Sequence, residues 1–392
     1  MSIKIGVFGT KRGSSFIENL QLISGVEIIA LCDKDKKALD SAAVLCNGQP
    51  VLFADFDDFI NTKMDAVVLT NYFDEHTPYA IKAMERGIHV LCETIPAVSM
   101  KECVDLCRTV ERTGCKYMLA ENYPFMCSNL ELERVYQDGT LGQVIYAEGE
   151  YVHPMSIEES DHYTPDPNHW RMRIPRTYYC THALAPLIYM TKNLPKKVNA
   201  RTVFYPQYSY DRKRYAGDAA GIMLCEMDNG ALFRVTGSCS FGPHGNWYRL
   251  GCVNGGVETV RGDQAMVRLE YNGWSKPDDK ENKVYKAEWQ DQGELAERAG
   301  HGGGDFWVAY HFVKYLTDDI EPFFNVYRAA AMSAVAILGW KSVLNDGMCF
   351  NIPDFTNDAE RKIHENDSAS PLPNELGYSE LPYSSKPFFP VY

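Results

Sequence analysis

The first 125 residues alternate short apolar runs with amphipathic segments, and this alternation restricts the possible folds more than any other feature of the chain. Ile3–Phe8, Val26–Cys32, Ala66–Leu69, His89–Cys92 and Tyr117–Ala120 are apolar runs of strand length. Between them, Ser15–Ile23, Asp35–Leu45, Glu75–Arg86 and Met100–Thr113 carry the apolar spacing of helices that bury one face. Strand and helix in turn build a parallel sheet covered on both faces, and such sheets bind ligands at the carboxyl ends of their strands. The expectation for residues 1–125 is an α/β, Rossmann-type dinucleotide-binding domain.

The pattern changes near Leu141. "QVIYAEGEYVH" alternates as a strand, and "GIMLCEM-DNG-ALFRVTGS" reads as two strands around an Asp-Asn-Gly turn. "WYRLGCV-NGG-VETVR" repeats the device, and "QAMVRLE" follows Gly262-Asp263. An α+β domain with a mainly antiparallel open sheet is expected over residues 126–350. Its helices near Asp305–Thr317 and Val326–Leu344 are expected to return to the first domain. Residues 351–392, rich in Pro and Tyr, read as an extended arm lying over a surface such as a neighbouring subunit.

A net charge of −13 opposes nucleic-acid and anionic-membrane partners, whose phosphates would repel it. No apolar run reaches the roughly 20 residues of a membrane span, and "MSIKIGVFGT" enters a strand without a signal-peptide pattern. The twelve cysteines are scattered, with no Cys-x-x-Cys pair. A reducing cytoplasm and no metal site are therefore expected.

"KIGVFGTKRGSSF" is a strand, a glycine turn and a helix start. Gly9 and Gly13 shape the turn, with Thr10 and Arg12 between them, and Ser14 or Ser15 is placed to cap the helix. A pyrophosphate suits that helix N-terminus. Lys11 and Ser14 depart from G-x-G-x-x-G, but Asp33 closes the second strand at the position where a carboxylate accepts ribose hydroxyls. The same acid repels a 2′-phosphate, so NAD is the expected cofactor, with Arg12, Lys34, Lys36 and Lys37 near enough to soften the preference.

"TNYFDEHTPYAIKAMERGIHVLCE" resembles the glucose–fructose oxidoreductase/inositol dehydrogenase (Gfo/Idh/MocA) family. That family continues Glu-Lys-Pro, and its lysine assists proton transfer. Here Glu93 is followed by Thr94, and Pro96 comes one residue late. "LAENYPF", "GTLGQVIYAEGEYVH", "WRMR", "YYCTHALAP" and "GHGGGDF" are similar to the lysine-less branch of NAD-dependent glycosidases, the α-N-acetylgalactosaminidase-like enzymes. The resemblance implies that Asn71, His76, Glu93 and Asn122 join the cofactor site. It also implies that Trp170, Arg171, Arg173, His153 and His301 line a sugar pocket, with His244 in a catalytic role.

"TYYCTHALAP" offers a substitute for the lysine. Thr181 is expected to cap a helix beginning at His182, and Tyr179 stands at its positive end. A tyrosine acts as a base only with a neighbouring positive charge, which Arg171, Arg173 or the oxidised nicotinamide would supply. The bland alternative for Tyr179 is a buried phenol bonded to backbone. On Val144–Val152, alternation puts Glu148 and Glu150 on one face, and Glu148 matches the branch's acid. Histidines 153, 162, 169 and 182 read as pocket lining rather than metal ligands. Tyr179, His182, Glu148 and His244 are the catalytic candidates. The reading is a carbohydrate-active enzyme that oxidises a sugar hydroxyl transiently, eliminates the aglycone and re-reduces the sugar. A net NAD-dependent sugar or polyol dehydrogenase and a non-catalytic nucleotide sensor are the alternatives. The partner is a small sugar or glycoside, in a homo-oligomer (dimer or tetramer).

Overall fold

In the first domain the buried apolar runs pair side by side, because each is covered on both faces and only its edges remain for hydrogen bonding. β1 (Ile3–Phe8), β2 (Val26–Cys32), β3 (Val51–Phe53), β4 (Ala66–Leu69), β5 (His89–Cys92) and β6 (Tyr117–Leu119) form a parallel sheet in the order β3-β2-β1-β4-β5-β6. The computed structural model describes residues 2–164, 169–204, 218–373 and 377–386. Helices α1 (Thr10–Leu20), α2 (Lys36–Leu45), α3 (Phe56–Phe59), α4 (His76–Met84) and α5 (Met100–Thr113) connect the strands. Strand order reverses between β1 and β4, so a crevice opens at their carboxyl ends. β3 is an edge strand with Val51 and Leu52 exposed, so it lacks the buried apolar signature by which the other strands are recognised.

Helix α1 begins at Thr10, earlier than the apolar spacing places it. Gly9 is left-handed (φ 89°), which turns the chain from strand to helix within one residue. A Cβ there would lie 2.5 Å from the Asn71 backbone nitrogen. Neither serine caps the helix. Ser14 Oγ donates to the Thr10 carbonyl (2.8 Å), and Ser15 Oγ donates to Asp305 (2.6 Å). The leading N–H, that of Thr10, is answered by Asp33 Oδ2 at 2.7 Å.

The second domain contains helices α6 (Cys127–Gln137), α7 (Ile157–Tyr163), α8 (Thr181–Thr191), α9 (Gly293–Ala296), α10 (Gly304–Asp318), α11 (Val326–Leu344) and α12 (Asp358–Arg361). Its strands are β7 (Val144–Val152), β8 (Pro195–Phe204), β9 (Asp218–Met227), β10 (Leu232–Cys239), β11 (Gly245–Cys252), β12 (Gly255–Val260), β13 (Asp263–Tyr271), β14 (Lys283–Lys286) and β15 (Phe350–Asn351). They join in the order β14-β13-β12-β11-β7-β10-β9-β8-β15. Both expected hairpins form, β9–β10 and β11–β12. The sheet is nonetheless not a plain meander. β7 lies between β11 and β10, antiparallel to the first and parallel to the second.

Helix α8 lies directly on this sheet, where two glycines let it approach. A Cβ on Gly149 would stand 2.0 Å from the Ala183 carbonyl oxygen, and one on Gly237 would stand 2.9 Å from Cys180 Cα. α10 packs on α1 and α11 on α5, which locks the two domains together. The described part of the arm beyond residue 351 lies over this chain's own domains. Arg361 Nη1 donates to Glu111 (2.8 Å), Trp340 Nε1 to the Pro382 carbonyl (2.8 Å) and Ser385 N to Asp218 (3.0 Å). Residues 374–376 and 387–392 of the arm lie outside the described residues. Among the described residues no helix is long and apolar enough to cross a membrane.

Candidate active site

A cavity of about 750 Å³ opens where the carboxyl ends of the first sheet face α8 and the second sheet. From the nucleotide side Arg12, Asn71, His76, Glu93 and Asn122 line it. From the other side come His153, Trp170, Arg171, Tyr179, His182 and His244, with His301 at the glycine-rich loop. His162 and His169 also line it, so the four clustered histidines share one space. No group of three His, Cys, Asp or Glu among the described residues is arranged to hold a metal.

One wall is a closed ionic network. Arg12 Nε donates to Glu93 Oε1 (2.5 Å), and its two terminal nitrogens donate to Asp305 (3.1 and 3.0 Å). Asp305 also accepts from Ser15 Oγ, Asn122 Nδ2 (2.7 Å) and His301 Nδ1 (3.0 Å). It is therefore the hub joining the glycine loop to the nucleotide turn. Burial opposes charge here, yet His301 and Arg12 hold Asp305 well below the usual carboxylate range. Glu93 is held low in the same way, against its burial, by Arg12.

The other wall carries the proton-transfer groups. His182 Nδ1 lies 2.7 Å from Glu121 Oε1, while the ring stacks on Tyr123 with centroids 4.2 Å apart. The His182 carbonyl accepts from Tyr248 OH at 2.6 Å, which fixes the start of α8. Glu121 is fully buried, and its Oε2 has no partner. Thr181 is not the cap. Its hydroxyl meets the Thr94 hydroxyl at 2.7 Å, so the position of the family lysine holds a neutral threonine pair across the domain boundary. Tyr179 sits against Tyr151 and His182, with the Arg171 guanidinium 5.7 Å from its ring centre. Burial pushes its phenol above the ordinary tyrosine value, with Arg171 pulling the other way. Within the protein alone, burial thus works against a phenolate at Tyr179 and Arg171 works for one. His153 and His244 pack edge to face at 4.7 Å, and burial with His244 holds His153 low.

Glu148 is not in the cavity. β7 turns Gly149 and Tyr151 toward α8, so Glu148 points through the opposite face of the sheet. There it accepts from Tyr146 OH (2.8 Å) and Arg234 Nε (3.0 Å), and Glu150 pairs with Arg234 and Arg261. Arg173 does not line the cavity either; its N–H closes the short turn at Trp170 (2.9 Å). Ser14 faces a separate cleft with Lys11, Asp35 and Lys37. Glu121, Tyr123 and the Asp305 hub were not singled out from the sequence. Glu121 had a usable signal, since it stands just past the carboxyl end of β6.

The turn at Gly9 and the unanswered polar atoms fit a dinucleotide. Asn71 Oδ1, Asn122 Oδ1 and His76 Nε2 are buried without a partner at the cavity's nucleotide side. Asp33 accepts from Thr10 N, Thr10 Oγ1 and the Asp35 N–H, which leaves further lone pairs on its oxygens for ribose hydroxyls. Gly13 packs under Val7 and Thr70, holding α1 close to the sheet.

Residues 3–121 match the model of the oxidoreductase family with an NAD-binding Rossmann fold (GFO_IDH_MocA). The first domain is an NAD-binding Rossmann domain of the Gfo/Idh/MocA type, and NAD is its cofactor. Residues 242–362 match the C-terminal domain of glycosyl hydrolase 109, so the chain resembles that branch of the family. It is 27% identical to a glycosyl hydrolase family 109 protein 1 of a Shewanella species and 26% identical to an alpha-N-acetylgalactosaminidase of Shewanella oneidensis. Each alignment covers 91% of this chain and 86% of the relative. Among solved structures, levoglucosan dehydrogenase in complex with NADH and levoglucosan superposes with a TM-score of 0.74 at 15% identity, over 90% of this chain and 100% of that one. An oxidoreductase from Agrobacterium radiobacter in complex with NAD+, L-tartaric acid and magnesium gives 0.73 at 15%, over 90% and 99%.

Proposed function

We propose that this chain is an NAD-dependent glycosidase working by transient oxidation, elimination of the aglycone, addition of water and re-reduction. The observation that carries the reading is the His182–Glu121 pair at the nucleotide cavity, together with a threonine pair where the family lysine would stand. Asn71, His76, Asn122 and the Gly9 turn are assigned to hold the cofactor. Bound NAD supplies hydride acceptance and return at a sugar carbinol carbon, which makes the neighbouring C–H acidic enough for the glycosidic oxygen to leave. With Nδ1 held by Glu121, His182 keeps Nε2 for exchanging a proton with the sugar, and the carboxylate stabilises the imidazolium that results. Tyr179, kept protonated by burial, donates a hydrogen bond to developing oxyanion charge rather than acting as base. His244 and His153 form the far wall, where they contact the sugar or its leaving group. The homologues named as glycosidases support the reaction class.

The uncovered face of the nine-stranded sheet, with its Glu148–Arg234–Glu150 ladder, is assigned to pairing with a second copy in a reducing cytoplasm. Sedimentation at micromolar concentration reads this directly, and a monomer removes it.

The test of function is a panel of chromogenic glycosides in D₂O without added NAD. Aglycone release with one deuterium gained in the sugar, and no lasting absorbance at the NADH wavelength, is the expected result. NADH accumulating from free sugars once NAD is supplied, with no aglycone released, would make the chain a dehydrogenase instead.

A further inference from the structure

The segment that carries Tyr179 into the cavity, residues 174–180, belongs to neither sheet, yet it is fastened along its length. Gly221 and Gly237 let it lie flat on β9 and β10. A Cβ on Gly221 would stand 2.9 Å from the Thr177 nitrogen, and one on Gly237 would stand 2.9 Å from Cys180 Cα. Tyr178 OH donates to the Val98 carbonyl of the first domain (3.1 Å). Arg176 Nε donates to the Asp218 carbonyl (2.8 Å) and its Nη1 to the Ser238 hydroxyl (3.1 Å). One side chain therefore ties the segment to the start of β9 and to the end of β10.

Asp218 is the anchor with the most to lose. Its side chain is 1% exposed, and a buried carboxylate without partners is costly. The hydrogen bonds that this carboxylate accepts from the described residues come from the C-terminal arm. Ser385 N donates to Oδ2 (3.0 Å), and Ser385 Oγ donates to Oδ1. The arm is itself fastened just before this point. Buried Trp340 of α11 donates from Nε1 to the Pro382 carbonyl (2.8 Å), and Leu381 packs on the core. Residues 381–385 are thus a strap running from α11 to the residue that holds Arg176. The match to the glycosyl hydrolase 109 domain ends at residue 362, before the strap begins. A strap that only covered surface would need no more than apolar contact. Hydrogen bonds to a buried carboxylate are directional, so they fix where Asp218 stands.

We propose that residues 381–385 position the catalytic wall, and that Asp218 is the positioning residue through which they act. Ser385 fixes the Asp218 side chain, the Asp218 carbonyl fixes Arg176, and Arg176 fixes the segment that presents Tyr179. Neither Asp218 nor Ser385 lines the cavity, so both act through the wall rather than on the sugar. Without the strap the carboxylate turns toward water, its backbone moves with it, and Tyr179 loses its set place beside the reacting carbon. The effect on turnover rests on the glycosidase reading; the hold on the wall does not.

Two measurements on the NAD-loaded protein test this. In the first, a chain ending at Pro382 and the Ser385→Ala variant are compared with the unaltered protein by amide hydrogen exchange. Residues 174–180 should exchange about tenfold faster or more in the shortened chain, while β1–β6 stay as protected as before. Ser385→Ala, which keeps the N–H bond, should give a smaller rise. Adding Asp218→Asn to the shortened chain should recover part of the protection, because no buried charge is then left without a partner. Unchanged exchange at residues 174–180 overturns the proposal. So does an equal rise throughout the chain, which would make the strap a general brace, and a failure of Asp218→Asn to recover protection removes Asp218 as the link. The second measurement is turnover of a glycoside that the unaltered protein cleaves. In the shortened chain kcat and kcat/KM should fall together by about 10- to 100-fold with NAD retained, the scale of a small misplacement of a reacting group. Full turnover beside faster exchange overturns the positioning role. If the unaltered protein cleaves no glycoside, the glycosidase reading fails, and the exchange pattern alone decides whether the strap holds the wall.

Discussion

The two walls of the cavity are built on opposite principles. On the nucleotide side the buried charges are closed: Arg12 answers Glu93 and Asp305, and Asp305 collects further hydrogen bonds from Ser15, Asn122 and His301. What stays open there is neutral, the oxygens of Asn71 and Asn122 and Nε2 of His76. On the second-domain side stand a guanidinium, a phenol and an imidazole backed by a buried carboxylate. A wall that must hold one cofactor through many turnovers gains from being satisfied in advance, because little has to reorganise when the ligand arrives. A wall that exchanges protons with a passing sugar needs groups whose partners are not already fixed.

The comparison breaks most visibly at His182. His182→Ala should lower aglycone release by about 10³-fold and Glu121→Gln by about 100-fold, the range of a lost general acid–base group, with NAD retention unaltered. Loss of less than tenfold in the first variant would remove His182 from the chemistry. Asp305→Asn tests the closed wall instead. Breaking a buried charge cluster from one side should cost roughly 3 kcal/mol or more in denaturant unfolding. The sign of its pH dependence follows from a carboxyl held below its ordinary value of 3.8. The gap between variant and parent is complete above that value and narrows as the pH is taken below it. A gap that widened in acid would contradict the network.

A smaller effect is expected at the turn. Gly9→Ala forces a side chain into left-handed backbone and to within 2.5 Å of Asn71, so stability should fall by about 2 kcal/mol, and NAD should be lost from purified protein. The smallest effect sharpens the comparison from outside the cavity. Glu148→Gln, across the sheet from the chemistry, should leave kcat/KM within about twofold, in the range of ordinary surface changes. A severe loss of turnover without loss of the fold would return Glu148 to the site.

Much of the first domain was legible because its signals are local. Ile3–Phe8, Val26–Cys32, Ala66–Leu69, His89–Cys92 and Met100–Thr113 form the elements their spacing predicts, since burial on both faces leaves continuous apolar runs. Two local readings failed for one reason: other groups supplied what a cap would have supplied. Ser15 was drawn to Asp305, and Thr181 was drawn to Thr94. The acids of β7 misled in a different way. Alternation put Glu148 and Glu150 on one face correctly, but nothing in a strand's sequence says which face another domain will cover. The reading of Tyr179 as a base counted the positive charges near it in sequence and could not count its burial, which acts the other way.

By itself the sequence determined that a parallel, nucleotide-binding sheet comes first, that a glycine turn follows its first strand and Asp33 its second, and that a lysine is missing after Glu93. These are properties of short stretches, where periodicity and turn chemistry act between neighbours. Only the tertiary structure decided that Glu121 stands behind His182, sixty-one positions away, and that Asp305 closes on Arg12 across 293. Such contacts are made when α8 settles onto Gly149 and Gly237 and α10 onto α1, and side chains so far apart leave no spacing in the chain to read.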